Sequence, residues 1–299
     1  MNKLSGLIAA AHTPFNADGS VNLEMIPRQA ELMIRQGVTG VYICGTTGEG
    51  ISCSVAERQA VMEQWTRAAR GKLFIIAHVG ALALPDVQTL AGFAQKIACD
   101  AVSVVPANFF KPANVEMLVE YCQQALKTAP ELPFYYYHTG MSGVNLSMVK
   151  FLELADKKFP QLAGIKFNSP DLYEYQNCLA AVEGKYDITY GVDEFFAGAV
   201  ALGAKSAIGS TYNYMAPLFI QIAKELKAGN LNQVQLDMRK VCQVVDILVQ
   251  YGGVAAGKVI MSAHGLDMGD VRLPLKSISP EGKKDILERI EKLDVIKEV

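Results

Sequence analysis

Residues 40–79 read GVYICGTTGEGISCSVAERQAVMEQWTRAARGKLFIIAHV, and this stretch decides the fold. It opens with one short apolar run, Gly40–Cys44, and closes with another, Leu73–Val79. Both runs are apolar throughout rather than alternating, which is typical of strands covered on both faces. Between them, Ser54 and Glu57 have the capping-box spacing that starts a helix. The stretch therefore predicts a strand, a crossover helix and a second, parallel strand.

The same unit recurs along the chain. Further apolar runs of strand length lie at Gly6–Ala11, Ala101–Val105, Pro133–Tyr137, Ala163–Phe167, Asp187–Tyr190 and Lys205–Gly209. Helical patterns separate the runs, for example at Ser54–Ala69, Asp86–Ile97, Asn114–Leu126 and Ser147–Asp156. Eight such units in roughly 210 residues predict an α/β fold, the (β/α)8 TIM barrel. The alternative is an open doubly wound sheet, but its Gly-x-Gly-x-x-Gly turn is missing after the first run.

After Gly209 the strand signals stop. Ala216–Lys227, Leu231–Tyr251 and Glu281–Leu293 have helical patterns instead. We therefore predict two parts: a (β/α)8 barrel over residues 1–225 that carries the active site, and a C-terminal helical extension over residues 226–299.

Composition excludes several classes of protein. The 299 residues are 51% hydrophobic and 19% charged, which is enough to bury a sizeable core. The 28 Lys and Arg nearly cancel the 30 Asp and Glu, so we expect no nucleic-acid partner. We also expect no membrane partner, because no apolar run approaches the length of a bilayer span. The six cysteines are scattered singly, without a Cys-x-x-Cys pair, and no secretory signal is recognisable, so we expect a cytoplasmic protein.

Lys166 is the residue most suggestive of chemistry. It lies inside the apolar run Ala163–Phe167. Alternation along this strand turns Ile165 and Phe167 toward the helices and Lys166 into the barrel. Burial disfavours the ammonium form, and a neutral amine can attack a ketone to form a Schiff base. The alternative is a lysine that reaches solvent from a strand end or pairs with a carboxylate.

Tyr137 closes the preceding strand. Alternation places Tyr135 and Tyr137 inside the barrel and Tyr136 outside, next to the strand of Lys166. A phenol beside an imine is suited to transfer protons to and from a substrate hydroxyl. The alternative is an aromatic core strand whose hydroxyls are satisfied within the protein.

Two loops supply polar groups at strand ends. Gly45–Gly50 offers Thr46, Thr47 and backbone amides that suit a carboxylate; without the Gly-Lys-Ser/Thr ending it does not suit phosphate. A plain Gly- and Thr-rich turn is the alternative. Asp193 and Glu194 are placed either to bind the hydroxyls of a polyol or to cap the next helix. The histidines are far apart in sequence, and we expect no metal site.

Taken together, these motifs resemble the pyruvate-dependent class I aldolases of the N-acetylneuraminate lyase / dihydrodipicolinate synthase superfamily, over about residues 6–272. The resemblance implies that Lys166 forms an imine with pyruvate and that Tyr137 transfers protons. It also implies that Thr46 and Thr47 hold the carboxylate of pyruvate.

Further segments favour the sialic-acid lyase branch. Gly191–Glu194 and Gly209–Asn213 are similar to the segments with which that branch binds sugar hydroxyls. The resemblance thus implies substrate binding by Asn168, Gly191, Asp193, Glu194 and Ser210.

The synthase branch fits less well. Its arginine after the catalytic tyrosine is missing from the loop His138–Gly143, and Asn108–Lys111 replaces its tyrosine pair. Arg272–Leu275 is also similar to the lyases. The loop after Tyr137 is shorter than in the family, and Asn168 stands where lyases often have Thr or Ser, so the sugar end of the pocket departs from the pattern.

The resemblance implies an enzyme that cleaves a 2-keto sugar acid, N-acetylneuraminate, reversibly to N-acetylmannosamine and pyruvate. It implies no cofactor, and a homotetramer. The alternatives are a sibling aldolase or dehydratase of another 2-keto sugar acid, a dihydrodipicolinate synthase-like enzyme, and a non-catalytic keto-acid-binding homologue.

Overall fold

The computed structural model describes residues 3–106 and 109–297. Asn108, compared above with the synthase tyrosine pair, lies outside these ranges. Within them the chain forms eight parallel strands that close into a barrel in sequence order. The strands are β1 (Gly6–Ala10), β2 (Gly40–Ile43), β3 (Phe74–His78), β4 (Ala101–Val104), β5 (Phe134–Thr139), β6 (Leu162–Asn168), β7 (Asp187–Tyr190) and β8 (Ser206–Gly209). The predicted (β/α)8 barrel is confirmed, and the open sheet is excluded.

One helix follows each strand. These helices are α1 (Met25–Arg35), α2 (Val55–Ala69), α3 (Leu84–Lys96), α4 (Val115–Ala125), α5 (Met148–Lys158), α6 (Leu172–Gly184), α7 (Phe196–Ala201) and α8 (Tyr212–Lys227). The C-terminal helical extension is also confirmed, with helices α9 (Leu231–Tyr251), α10 (Gly253–Met261) and α11 (Pro280–Leu293).

Local signals set several helix boundaries. At α2 the Ser54 hydroxyl accepts from the Glu57 amide at 3.2 Å, and the Glu57 carboxylate accepts from the Ser54 amide at 2.8 Å, which confirms the capping box. The predicted helix Ala216–Lys227 is confirmed as the regular part of α8, which is kinked at Met215; the helical turn that precedes the kink, from Tyr212, was not predicted. Helix α10 was not predicted, because its nine residues are nearly all apolar and give no helical periodicity.

Two layers of apolar side chains hold the barrel. The inner layer fills its interior and includes Ile8, Tyr42, Tyr135 and Tyr137. The outer layer lies between strands and helices, and Tyr136, Ile165 and Phe167 belong to it. Alternation along β5 and β6 was therefore predicted correctly, and Lys166 faces the interior.

In residues 3–106 and 109–297, no single helix is long and apolar enough to cross a bilayer. Helix α9 and the segment Gly253–His264, which meet at a bend of 117°, reach that length and apolar composition only when taken together.

Candidate active site

A cavity of about 500 Å³ opens at the carboxyl ends of the strands. This is the end of a (β/α)8 barrel where catalytic residues collect. All nine predicted site residues line it: Tyr137, Lys166, Thr46, Thr47, Asn168, Gly191, Asp193, Glu194 and Ser210. Their placement together follows from their shared position at or just after strand ends.

Lys166 lies in the wall of this cavity. It pairs in register with Tyr137 across β5 and β6, and only 5% of its surface is exposed. Its Nζ lies 4.1 Å from the centroid of the Tyr42 ring and 4.2 Å from that of the Tyr137 ring. Burial lowers the pKa of the amine, while Tyr137 and Asp193 oppose that shift.

Neither alternative for Lys166 holds in the structure. The side chain does not reach bulk solvent. In the described part of the chain, no carboxylate lies within salt-bridge distance of its Nζ. An amine that is buried and lacks a contacting carboxylate is biased toward the neutral, nucleophilic form.

Asp193 is a second buried titratable group in the cavity. One carboxylate oxygen accepts from the Thr211 amide at 3.0 Å and from the Thr211 hydroxyl at 2.7 Å. The other oxygen is buried without a hydrogen-bond partner among the described residues, and it lies where a side chain at Gly209 would have to be, which is why that position holds glycine. Burial raises the pKa of Asp193. The carboxyl thus holds the start of α8, and Glu194 beside it is half-buried.

Asn168 and Gly191 face each other across β6 and the end of β7. The Asn168 amide donates to the Thr139 hydroxyl at 3.2 Å. A Cβ atom at Gly191 would lie 3.0 Å from the Asn168 side chain, so the close approach leaves little room for anything larger. The last residue of β5, Thr139, therefore contacts the last residue of β6, Asn168.

The loop that carries Thr46 and Thr47 is held in place by a buried ion pair, which was not predicted from the sequence. The Glu49 carboxylate lies 2.7 Å from the Lys258 Nζ of α10, and both side chains are almost completely buried. Glu49 also accepts from the Arg272 amide at 2.8 Å. The unusual local feature of Glu49 is its left-handed backbone, with φ of 51°. A backbone angle of this kind cannot be predicted from the sequence, so no sequence signal indicated the ion pair.

The extension also contributes to the cavity. Val245 and Leu248 of α9 and Gly253 and Val254 of α10 line its wall. All nine predicted site residues lie within residues 1–225, and the predicted extension adds apolar wall to the same cavity. The boundary at residue 225 also lies inside the last turn of α8, and the division into two domains stays a proposal.

His12, which follows β1, is buried behind the Thr46–Thr47 loop. In residues 3–106 and 109–297, neither ring nitrogen has a hydrogen-bond partner of ordinary geometry. Burial, reinforced by the charge of Lys258, lowers the pKa of His12 to about 3. An unfolded histidine titrates near 6.5. The native state therefore excludes a proton that the unfolded chain binds, so this contribution to stability is complete above pH 6.5 and is lost as the pH falls toward 3.

We expect His12→Leu to make the protein less sensitive to acid. Between pH 6 and pH 4, the slope of the unfolding free energy against pH should fall by up to about 1.4 kcal/mol per pH unit, the effect of one proton. Urea unfolding at several pH values measures the slope. A residual acid dependence should remain, because burial also lowers the pKa of His78 to about 3. An unchanged slope in His12→Leu would contradict the assignment.

No group of three or more His, Cys, Asp or Glu side chains in residues 3–106 and 109–297 is arranged to hold a metal ion.

Known proteins with similar sequences and structures show the family to which the chain belongs. The chain matches the Dihydrodipicolinate synthetase family over residues 3–293. N-acetylneuraminate lyase A of Xenopus laevis is 36% identical over 300 residues, which cover 98% of each chain. The solved N-acetylneuraminate lyase of Proteus mirabilis is 51% identical, with a TM-score of 0.97 over 99% of this chain and 100% of its own. That of Aliivibrio salmonicida is 50% identical, with a TM-score of 0.98 over 99% of both. The chain belongs to the dihydrodipicolinate synthetase family.

Proposed function

We propose that this protein is a class I aldolase that reversibly cleaves N-acetylneuraminate to N-acetylmannosamine and pyruvate. The observation that carries the proposal is the buried Lys166 amine beside Tyr137, without a contacting carboxylate in the described residues. Relatives named N-acetylneuraminate lyase match nearly the whole chain. Aldolase chemistry of this type requires neither a metal nor an organic cofactor, because the imine itself accepts the electrons.

The reaction begins at Lys166. Its neutral amine attacks the ketone carbon of the open-chain sugar acid, and loss of water leaves a protonated imine. Thr46 and Thr47 hold the carboxylate. Tyr137, through that carboxylate or Thr47, takes the proton of the C4 hydroxyl while the C3–C4 bonding electrons flow into the imine. N-acetylmannosamine leaves, the enamine is protonated at C3, and water releases pyruvate.

The other residues that line the cavity bind the sugar end of the substrate. Asp193 lines the cavity together with Glu194 and Ser210. These groups suit the hydroxyls of a polyol. Asn168 and Gly191 border the same region.

A sibling aldolase acting on another 2-keto sugar acid is the second candidate. It is favoured by the hydrogen bond between Asn168 and Thr139, which gives the sugar end an arrangement of its own. A dihydrodipicolinate synthase-like activity is disfavoured by the missing arginine in residues 138–143. A non-catalytic keto-acid-binding homologue predicts binding without product.

A coupled assay of pyruvate release on a panel of 2-keto acids tests the proposal. We expect N-acetylneuraminate to be cleaved fastest among them. Borohydride with pyruvate should add a stable mass to the peptide that contains Lys166. Faster release from another sugar acid would support the sibling enzyme, and binding without release or adduct would support the non-catalytic homologue.

We also propose a cytoplasmic homotetramer. The adjacent rings of Phe109 and Phe110 are both more than four-fifths exposed, with centroids 5.1 Å apart, and such a pair suits a subunit contact. All six cysteines are free thiols, which fits a reducing compartment.

A further inference from the structure

Tyr42 forms the part of the inner core on which Lys166 rests. Its ring is completely buried, and its hydroxyl donates to the Ser103 hydroxyl at 3.0 Å. The Lys166 Nζ lies 4.1 Å from its ring centroid and 4.2 Å from that of Tyr137. The centroids of these two rings lie 5.9 Å apart, and the ring planes are inclined at 72°. Both rings therefore contact the same nitrogen from different sides of the inner core.

Aromatic faces and carboxylates treat this nitrogen differently. A carboxylate in contact with Lys166 would hold it as an ammonium ion, which cannot attack a ketone. An aromatic face attracts a cation through its quadrupole but accepts no proton. The free-energy cost of burial is larger for a compact ammonium ion than for a protonated imine, because the charge of the imine is spread over nitrogen and carbon. The same surroundings therefore tolerate a neutral amine before attack and favour a cation after it.

We propose that the ring of Tyr42 is a catalytic group that stabilises the protonated imine on Lys166 by a cation–π interaction. The inference rests on the proposed function, since it needs the imine to form. In that step the Nζ–carbon bond forms, the ketone oxygen leaves as water with one proton taken from solvent, and the positive charge develops on Nζ. The Tyr42 hydroxyl, committed to Ser103, takes no part.

Tyr42 also packs the inner core, and a packing role alone predicts a different pattern of effects. Packing depends on the size of the ring, whereas a cation–π interaction depends on its electron density. Adding fluorine to a phenylalanine ring withdraws electrons stepwise with little change in volume. Fluorination therefore separates the two roles.

The test is a series of full-length variants: Tyr42→Phe, then the same position with phenylalanine carrying one, two and three fluorine atoms, and Tyr42→Leu. The readouts are the fraction of protein trapped by borohydride with pyruvate, by intact mass, and kcat for pyruvate release. We expect Tyr42→Phe to keep most of both, each fluorine to lower both, and Tyr42→Leu to lower kcat by roughly 30-fold.

The same fluorinated series at Tyr136 is the matched control. That residue lies on the same strand as Tyr137 but packs outward on Phe151, with ring centroids 4.8 Å apart. No trend in trapping or kcat is expected there.

The possible outcomes are distinct. If the wild-type protein traps pyruvate at Lys166 but neither readout follows fluorine content at Tyr42, the cation–π inference is overturned and the proposed function stands. If the wild-type protein traps nothing, the proposed function fails, and this inference fails with it. The fluorinated variants decide the matter even where Tyr42→Leu does not fold.

Discussion

Replacement of Lys166 by methionine should abolish cleavage and make the protein more stable. We expect kcat for pyruvate release to fall by roughly 10³-fold or more, because the proposed nucleophile is gone while the rest of the cavity is intact. The borohydride adduct should disappear with it. Methionine fills a similar volume without an amine to desolvate, so the free energy of unfolding should rise.

The pH dependence of that gain identifies its cause. Burial lowers the pKa of Lys166 in the folded protein from an ordinary value of 10.5. The unfolded chain therefore binds a proton that the folded protein excludes, and the resulting contribution to stability is complete above pH 10.5 and lost as the pH falls through the folded pKa. The gain from Lys166→Met should thus be larger at pH 7 than at pH 10, as measured by urea unfolding.

Lys205→Met is the matched control, because Lys205 is exposed and precedes β8 at the opposite end of the barrel. It should change neither kcat nor the stability difference between pH 7 and pH 10. Residual cleavage near the wild-type rate in Lys166→Met would contradict the proposed mechanism, whatever its stability.

The barrel and the direction of Lys166 were predictable because both depend on local patterns. Apolar runs of strand length and the capping box at Ser54 are encoded within a few residues, and alternation along β6 turns Lys166 inward without reference to the rest of the chain. The grouping of the predicted site residues followed from one rule, that they stand at the carboxyl ends of strands.

What was missed depends on contacts between distant segments. Tyr42 is one aromatic residue in an apolar run, and such a residue is indistinguishable by pattern from ordinary core. Lys258 lies in α10, a helix without periodicity, and nothing near Glu49 in sequence indicates its partner. The walls that α9 and α10 give the cavity depend in the same way on how the extension packs.

The second large effect is expected at that buried ion pair. Besides Glu49 at 2.7 Å, the Lys258 Nζ donates to the Asp270 carbonyl at 3.1 Å and lies 4.1 Å from the centroid of the Phe15 ring. Removing the cation by Lys258→Met leaves the Glu49 carboxylate buried without its counter-ion. Breaking a buried pair in this way costs about 3–5 kcal/mol of stability, which urea unfolding will measure.

Restoring neutrality separates charge from packing. In the double variant Glu49→Gln, Lys258→Met no unpaired charge remains, so we expect it to recover much of the loss seen in Lys258→Met. Equal stability of the single and double variants would contradict an electrostatic origin.

The pair also bears on the proposed reaction, because Glu49 ends the loop that presents Thr46 and Thr47. If that loop holds the substrate carboxylate, Lys258→Met should raise KM for the 2-keto acid, with a smaller effect on kcat. The imine chemistry at Lys166 should survive, so borohydride should still trap pyruvate there at high pyruvate concentration. Loss of trapping at saturating pyruvate in a folded Lys258→Met protein would instead indicate that α10 acts on the nucleophile itself. The ion pair therefore tests whether the C-terminal extension takes part in substrate binding.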